Sequence, residues 1–263
     1  MDAPLDLPES FLADAGRAAL FLDVDGTLIP IAETPDAVVL DPSGLETLAA
    51  LETALGGAVA LVSGRAIADL DRLFAPLRLP AAGLHGLQHR DATGRMHAEP
   101  ADLRDEPGYE DMRTRLAAFA QAHPGVLLED KQAAIALHYR RAPGAAEPAR
   151  ALIEDLLEGR RERLAVVPGK MVFEIKPVAA DKGVAIAAFM AEPPFAGRRP
   201  VFIGDDVTDE DGFRIVNDSG GLSIKVGDAT GSAARAALPD VAAVAGWLGR
   251  LLAVAREQEP VAT

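Results

Sequence analysis

Three short apolar runs, each followed directly by polar residues, stand out along the chain. They are residues 19–22 before Asp23, residues 58–62 before Ser63, and residues 200–203 before Gly204 and Asp205. Runs of four or five apolar residues without alternation are typical of strands buried on both faces of a parallel sheet. Ligands of open parallel sheets bind outside the carboxyl ends of the strands. The pattern therefore predicts that these three polar ends converge on one edge of a sheet.

Helical patterns between these runs indicate the crossover connections of an α/β domain. Residues 41–57, which begin with Asp-Pro-Ser and stop at Gly-Gly, predict one helix, and residues 66–73 predict a second. A third is predicted at residues 184–190, before the last strand. Residues 79–83 suit a further strand, with a polar hairpin around residues 91–94. We expect a Rossmann-like parallel sheet.

The pattern changes between residues 106 and 176. The predicted order is helix, two strands, helix, two strands, with helices at 109–121 and 145–158 and strands at 125–128, 133–139, 164–167 and 171–175. A repeated αββ unit is typical of an α+β domain with an antiparallel sheet, whereas the flanking segments are α/β. We therefore predict a core of residues 1–105 and 177–263, interrupted by an inserted domain of residues 106–176.

The composition describes a folded, acidic chain. The 263 residues include 40 acidic and 26 basic side chains, no cysteine and 49% apolar residues. That apolar content is too high for a disordered chain, and the lack of cysteine excludes disulfides, thiolate metal sites and a cysteine nucleophile. The net charge of −14 argues against a nucleic-acid partner, because such proteins need a basic surface to displace counterions. Residues 106–176 hold 11 acidic and 11 basic residues, so the whole net charge lies outside the predicted insert.

The sequence shows neither a membrane span nor a signal peptide. Asp, Arg, Gly or Pro interrupts every apolar run within about ten residues, well short of the roughly 20 that a bilayer requires. The first residues are acidic where a signal peptide is basic. We expect a cytoplasmic protein without a membrane partner.

Acidic residues follow two of the predicted strands. Asp23 and Asp25 are separated by one residue, and two carboxylates at the end of a buried strand repel each other unless a cation lies between them. Mg²⁺ prefers oxygen ligands, usually one or two carboxylates together with phosphate oxygens and water. Residues 205–211 add five acidic side chains in seven, from which Asp205 can complete such a site. The alternatives are a surface turn at the first segment and a solvated acidic loop at the second.

Two further segments supply groups that suit a phosphate. Ser63-Gly64-Arg65 offers a hydroxyl, a flexible turn and a guanidinium at the end of the second strand, although Ser63 is equally suited to capping a helix. Lys182 stands just before a predicted helix and is one of only five lysines among the 26 basic residues. Because an ammonium is a compact point charge and arginine a planar fork, a chain so poor in lysine has chemical reasons to keep some of them.

In order, these segments resemble the four motifs of the haloacid dehalogenase (HAD) superfamily of phosphotransferases. Within it the chain resembles the trehalose-6-phosphate phosphatases from about residue 19 to residue 230. The supporting segments are residues 23–31, Gly-Leu-His-Gly at 83–86, Glu-Asp-Lys at 129–131, Leu-His-Tyr-Arg at 137–140, residues 169–177 and residues 202–213. One departure follows Gly86, where the family often has Ala-Glu-Arg and this chain has Leu87-Gln88-His89.

The resemblance implies a HAD core with an α+β cap, and a role for each motif. Asp23 would be the nucleophile that forms an aspartyl phosphate, and Asp25 the general acid and base. Mg²⁺ would be held by the Asp23 carboxylate, the Asp25 backbone carbonyl and Asp205, with Asp209 acting through water. Ser63 and Lys182 would neutralise the phosphoryl oxygens. The implied substrate-binding residues are Gly64, Arg65, Glu129, Lys131, Arg140, Lys170, Glu174 and Asp206.

The expected reaction is the Mg²⁺-dependent hydrolysis of trehalose 6-phosphate, a small-molecule substrate, by a monomer. One alternative keeps the chemistry and changes the sugar to sucrose 6-phosphate or a mannosyl phosphate. Another is a catalytically silent subunit that binds the sugar phosphate, although such a chain commonly loses one of the two motif aspartates. A phosphomutase would use the same nucleophile but needs a cap that holds a bisphosphate. The charged cap residues could also be ordinary cross-strand ion pairs.

Overall fold

A computed structural model describes residues 15–31, 41–97, 103–130, 134–169, 171–178 and 181–258. The chain divides into two compact units, Met1–His97 with Lys182–Thr263, and Ala98–Asp181. Both ends of the predicted insert, residues 106 and 176, fall inside the second unit. No helix in the described ranges is long and apolar enough to span a bilayer.

The helices and strands are numbered here in chain order, leaving out single 3₁₀ turns. They are β1 (Ala18–Leu22), α1 (Pro42–Ala54), β2 (Val59–Val62), α2 (Ile67–Leu73), β3 (Ala81–Gly83), β4 (Gln88–Arg90), β5 (Met96–His97), α3 (Tyr109–Ala122), β6 (Leu127–Asp130), β7 (Ile135–His138), α4 (Ala146–Leu156), β8 (Leu164–Gly169), β9 (Val172–Pro177), α5 (Lys182–Met190), β10 (Arg199–Gly204), α6 (Glu210–Asp218), β11 (Leu222–Val226), β12 (Ala236–Leu238) and α7 (Val241–Glu257).

The first unit is built on an eight-stranded sheet in the order β12-β11-β10-β1-β2-β3-β4-β5. The strands from β12 to β3 are parallel, and β4 and β5 add an antiparallel edge. Every residue of β1 and β2 is buried, as expected for unalternated apolar strands covered on both faces. In register, Leu22 of β1 lies between Ile203 of β10 and Leu61 of β2. The residues that follow these three strands therefore emerge side by side, which confirms the predicted convergence.

The second unit is the predicted α+β arrangement. Its four strands form an antiparallel sheet in the order β6-β7-β9-β8. Leu116 of α3 and Ile153 of α4 belong to one apolar cluster with Leu137 of β7 and Phe173 of β9. A separate cluster forms the core of the first unit. The fold is thus a Rossmann-like parallel-sheet α/β core with a second antiparallel sheet in the inserted region, as predicted.

The elements after β10 were not predicted from the sequence. Strands β11 and β12 extend the parallel sheet beyond β10, and α7 packs against α1. Helix α7 begins at Asp240, whose carboxylate accepts a hydrogen bond from the Ala243 backbone N–H at 2.8 Å. Trp247 and Leu251 of this helix are completely buried. The last part of the described chain therefore completes the core rather than forming a tail.

Candidate active site

The loop after β1 is a tight turn that places Asp23 at the edge of the sheet. The Val24 carbonyl accepts hydrogen bonds from the backbone N–H groups of Leu28 and Ile29, at 2.9 and 3.1 Å. Gly26 within this turn has φ +83°, which favours glycine. A Cβ at Gly26 would lie 2.1 Å from Oδ2 of Asp205. The glycine of the motif therefore allows the backbone after β1 to approach the carboxylate that follows β10.

The acidic segment after β10 is folded inward. Asp205 is buried, and Asp209 is completely inaccessible to solvent. Asp209 accepts a hydrogen bond from the Asp206 backbone N–H at 2.8 Å, while the Asp206 carboxylate accepts one from Val207 N–H and caps the following 3₁₀ turn. A Cβ at Gly204 would lie 2.3 Å from Cγ of Asp209, so only glycine fits there. Asp205 and Asp209 are therefore buried and held in place, so this segment is not a solvated acidic loop.

Lys182 links the two acidic segments. It is the first residue of α5, is buried, and donates hydrogen bonds from Nζ to Asp23 Oδ1 at 2.7 Å and to Asp209 Oδ1 at 2.6 Å. Burial alone lowers the pKa of Lys182, but the carboxylates of Asp209 and Asp23 outweigh burial and hold that pKa above its usual range. The ammonium therefore stays charged and fixes the orientation of Asp23.

Three carboxylates and one ammonium come together at this edge of the sheet. Asp23, Asp205 and Asp209 each place a carboxylate oxygen within 4.8 Å of the others, and Lys182 is the ammonium bonded among them. The pKa of Asp23 is raised from 3.8 to about 8: burial is the largest cause, Lys182 opposes it, and Asp209 and Asp205 add to it. Three buried carboxylates with oxygen donors suit a small divalent cation, which would stabilise the ionised form of Asp23.

Ser63 lies at the end of β2 in a backbone that is held on both sides. Its N–H donates to the Ala82 carbonyl at 2.9 Å, and its own carbonyl accepts from His85 N–H at 2.9 Å. Its hydroxyl oxygen accepts from the Arg65 N–H at 3.1 Å, which leaves the hydroxyl proton to be donated elsewhere. The hydroxyl caps this short turn and can still donate a hydrogen bond to a phosphoryl oxygen.

Gly64 makes room for a buried histidine. A Cβ at this position would lie 2.7 Å from Nε2 of His85, so the imidazole packs directly on the glycine backbone. His85 has φ +56° and Leu84 has φ +50°, a left-handed conformation that costs roughly 1–2 kcal/mol for each non-glycine residue. The two left-handed residues thus place the imidazole against the backbone of Gly64, next to Ser63.

Arg65 pairs with Asp25. Its Nε donates to Asp25 Oδ2 at 2.7 Å and its Nη2 donates to Asp25 Oδ1 at 2.6 Å. This two-point contact is the strong form of an arginine–carboxylate pair and fixes the plane of the carboxylate. The Asp25 side chain is 39% exposed, so it faces the opening of the site while Asp23 is enclosed. The structure thus places Arg65, predicted to bind substrate, against the predicted general acid.

Five of the predicted substrate-binding residues belong to the second unit: Glu129, Lys131, Arg140, Lys170 and Glu174. Glu129 of β6 and Glu174 of β9 are each in register with Ala136 of β7, so their side chains share one face of the sheet. His138 contacts Glu129 through Nε2, 2.9 Å from Oε2, and Arg140 is exposed just after β7. Two of these five, Lys131 and Lys170, lie outside the described part of the chain.

Other residues around the site carried only weak sequence signals. Lys225 of β11 is buried and donates to the Asp206 carbonyl at 3.1 Å, which braces the acidic segment. The scarcity of lysine could have pointed to it. The strain at His85 and the pairing of Arg65 with Asp25 had no local signal.

Comparisons with known proteins agree on one family. A family model described as trehalose-phosphatase matches residues 21–241. A probable trehalose-phosphate phosphatase of Sinorhizobium fredii is 47% identical over 252 residues, which cover 93% of each chain. The trehalose-6-phosphate phosphatase of Escherichia coli is 44% identical over 229 residues, which cover 86% of this chain and 85% of that one.

Solved structures share the fold. The C-terminal domain of trehalose-6-phosphate phosphatase from C. albicans aligns with a TM-score of 0.82 at 23% identity, covering 94% of this chain and 97% of that one. At that identity the likeness concerns the fold alone.

Proposed function

The chain belongs to the trehalose-phosphatase family, and we propose that it hydrolyses trehalose 6-phosphate to trehalose and phosphate with Mg²⁺ as its cofactor. The observation that carries the mechanism is the buried Asp23, bonded to Lys182 at 2.7 Å and surrounded by Asp205 and Asp209. A carboxylate so placed is a nucleophile held in one orientation beside cationic charge, as phosphoryl transfer requires.

The residues that would hold Mg²⁺ are Asp23 and Asp205 through their carboxylates and Asp25 through its backbone carbonyl, with Asp209 acting through water. Their buried oxygen donors, and the raised pKa of Asp23, fit a small hard cation. When bound, Mg²⁺ supplies the positive charge that keeps Asp23 ionised and neutralises the phosphoryl oxygens.

In the first step, an Asp23 carboxylate oxygen attacks the phosphorus while the bond from phosphorus to the sugar oxygen breaks. Asp25 donates its proton to the departing sugar oxygen, which leaves as the hydroxyl of trehalose. In the second step, water attacks the phosphorus of the aspartyl phosphate, Asp25 takes a proton from that water, and the phosphorus–Asp23 bond breaks. Phosphate leaves, and Asp23 and Asp25 return to their starting states.

The remaining groups position charge. The Ser63 hydroxyl and the Lys182 ammonium are placed to donate hydrogen bonds to the phosphoryl oxygens, whose negative charge must be stabilised in both steps. Gly64, the residue after Ser63, would contact the substrate through its backbone. Arg65 holds the Asp25 carboxylate by two hydrogen bonds, so the proton donor keeps a defined orientation.

We also propose that the insert, residues 106–176, recognises the sugar. Glu129, Arg140 and Glu174, together with Lys131 and Lys170, would bind its hydroxyl groups, and charged side chains make the stronger kind of hydrogen bond to them. The Glu174→Gln variant should lose turnover of trehalose 6-phosphate but keep turnover of p-nitrophenyl phosphate, which has no sugar. Glu158→Gln, an exposed change in the same unit, is the matched control. An equal loss on both substrates would refute a role in sugar recognition.

The decisive experiment measures phosphate release on trehalose 6-phosphate, sucrose 6-phosphate and a mannosyl phosphate, with Mg²⁺ and with a chelator. We expect Mg²⁺-dependent turnover of trehalose 6-phosphate by the wild type and none by Asp23→Asn, with exposed Asp218→Asn as control. If the protein hydrolyses another sugar phosphate and does not hydrolyse trehalose 6-phosphate, the proposed substrate is wrong. Equal release by wild type and Asp23→Asn would overturn the mechanism.

The proposal places the enzyme in the cytoplasm as a monomer with no nucleic-acid or membrane partner. Light scattering after size-exclusion chromatography tests the oligomeric state, and a mass near twice 27.5 kDa would contradict it.

A further inference from the structure

A group of metal-ligating side chains lies on the antiparallel edge of the first unit, built by residues with no part in the phosphatase mechanism. We propose that His89, His97 and Glu192 form a second metal site, selective for a late first-row divalent cation such as Zn²⁺. One donor atom from each residue lies within 4.8 Å of the other two. The proposal rests on the way the fold brings these three side chains together.

Strand pairing places both histidines on one face. His89 of β4 is directly opposite His97 of β5 in the antiparallel pair, and opposite residues project to the same side of a sheet. Their rings lie edge to face with centroids 5.0 Å apart. Glu192, two residues beyond the end of α5, reaches the same face, with Oε1 3.0 Å from Nε2 of His89. The two strands of one hairpin and the segment after α5 thus bring three ligands to one point.

The donor set favours a cation different from the one proposed for the carboxylate site. Two imidazoles and one carboxylate suit Zn²⁺ and its neighbours, whereas Mg²⁺ prefers oxygen donors alone. Tetrahedral zinc with ligands at 2.0–2.1 Å needs donor atoms about 3.3 Å apart. The separation of His89 from Glu192 is already close to that value. The His97 side chain is 42% exposed, so it has room to rotate inward and the cation has a path from solvent.

The surrounding residues hold these ligands in place. The Phe189 ring packs against the His89 ring, with their centroids 4.2 Å apart. Asp91 Oδ2 is 2.8 Å from Nε2 of His97, and Asp91 is itself held by Thr93 and by the Arg95 N–H. A carboxylate that orients a histidine in this way is a regular outer partner in metal sites, so Asp91 is placed to aim His97 at the cation.

A neutral imidazole offers a lone pair on one ring nitrogen, so His89 can bind a metal ion through the nitrogen that faces Glu192. Bound Zn²⁺ would tie the β4–β5 hairpin to the end of α5, so we expect it to raise the thermal stability of the protein.

The test uses the full chain without an affinity tag, stripped of metal by a chelator and kept in millimolar Mg²⁺ so that the carboxylate site is occupied. Calorimetric titration with Zn²⁺ should show one ion bound per chain. A thermal denaturation scan should show a higher Tm with Zn²⁺ than without it. The His89→Gln and His97→Gln variants should each weaken this binding at least about tenfold, as loss of a ligand must exceed the effect of losing an outer partner. Co²⁺ in place of Zn²⁺ should give visible absorption bands that His97→Gln removes.

Two controls locate the ion. His123→Gln alters a histidine in the other unit, whose Nδ1 lies 2.9 Å from the Phe119 carbonyl, and it should bind Zn²⁺ like the wild type. Asp205→Asn alters the carboxylate site, and this variant should also bind Zn²⁺ like the wild type. Absence of bound Zn²⁺ in the wild type, or equal binding by wild type and His97→Gln, would overturn the proposal. Because His97 is exposed, its variant keeps the test valid even if His89→Gln fails to fold.

Discussion

The Asp23→Asn change should abolish turnover and yet make the metal-free protein more stable. Asp23 and Asp209 both accept a hydrogen bond from the buried ammonium of Lys182, and a carboxylate oxygen of Asp205 lies within 4.8 Å of theirs. Asparagine keeps an oxygen that can accept the hydrogen bond from Lys182, and it has no carboxyl group to ionise. A carboxylate buried in this way destabilises the fold, even where its proposed chemistry requires that position.

The magnitude follows from the pKa of Asp23, which burial raises from 3.8 to about 8. Between these pH values the folded state binds a proton that the unfolded chain has already lost, so the free energy of unfolding falls as pH rises towards 8. At pH 7 the difference spans about three pH units at about 1.4 kcal/mol each, or roughly 4 kcal/mol. Asparagine also loses hydration on burial, so we expect a gain of about 2–4 kcal/mol.

The assay is chemical denaturation of wild type and Asp23→Asn in a chelator at pH 5, 7 and 8. The variant should gain little at pH 5 and most at pH 8, because its own stability no longer depends on this ionisation. Saturating Mg²⁺ should reduce the difference in free energy of unfolding between the two proteins, because it should stabilise the wild type more than the variant. Asp218→Asn, on the surface, should change stability by less than about 0.5 kcal/mol. A variant no more stable than the wild type at pH 8 in chelator would refute the reasoning.

Three other changes test separate features. Arg65→Lys replaces the two-point contact with Asp25 by a point charge, so kcat should fall about tenfold or more with a smaller change in KM; a change in KM alone would contradict the positioning role. Gly26→Ala forces a Cβ against Asp205, so both activity and Mg²⁺ affinity should fall at least about tenfold in steady-state assays. Arg90→Met removes a buried guanidinium with its hydrogen bonds and should cost about 2–3 kcal/mol in urea denaturation; an unchanged midpoint would contradict this.

The sequence by itself determined the central strands, the residues of the four motifs and the composition of the carboxylate cluster. These features are local. A run such as residues 19–22 is buried on both faces because every position is apolar, and Asp23 must then emerge where the strand ends. The parallel pairing of β1 with β10 brings Asp205 beside it, and that neighbour relation follows from general rules for open sheets.

Local pattern misled where side chains are satisfied by distant partners. Strand β11 reads Leu-Ser-Ile-Lys-Val, an alternation that suggests one face in water, yet all five residues are buried. Ser223 is buried because its hydroxyl donates to the Asn217 side chain at 2.6 Å, and Lys225 because its ammonium donates to the Asp206 carbonyl. Such hydrogen bonds remove the cost of burying polar groups, and no spacing within the strand reveals them.

Only the tertiary structure decided which charged groups pair. Arg65 lies 40 residues from Asp25, and Lys182 lies 27 residues from Asp209, so neither contact leaves a trace in local sequence. The same holds for the packing of His85 on Gly64. Each contact depends on which strands are neighbours and on how closely their backbones approach. The sequence alone names the charged groups of the proposed site, and the fold determines which of them is buried, which is paired and which is exposed.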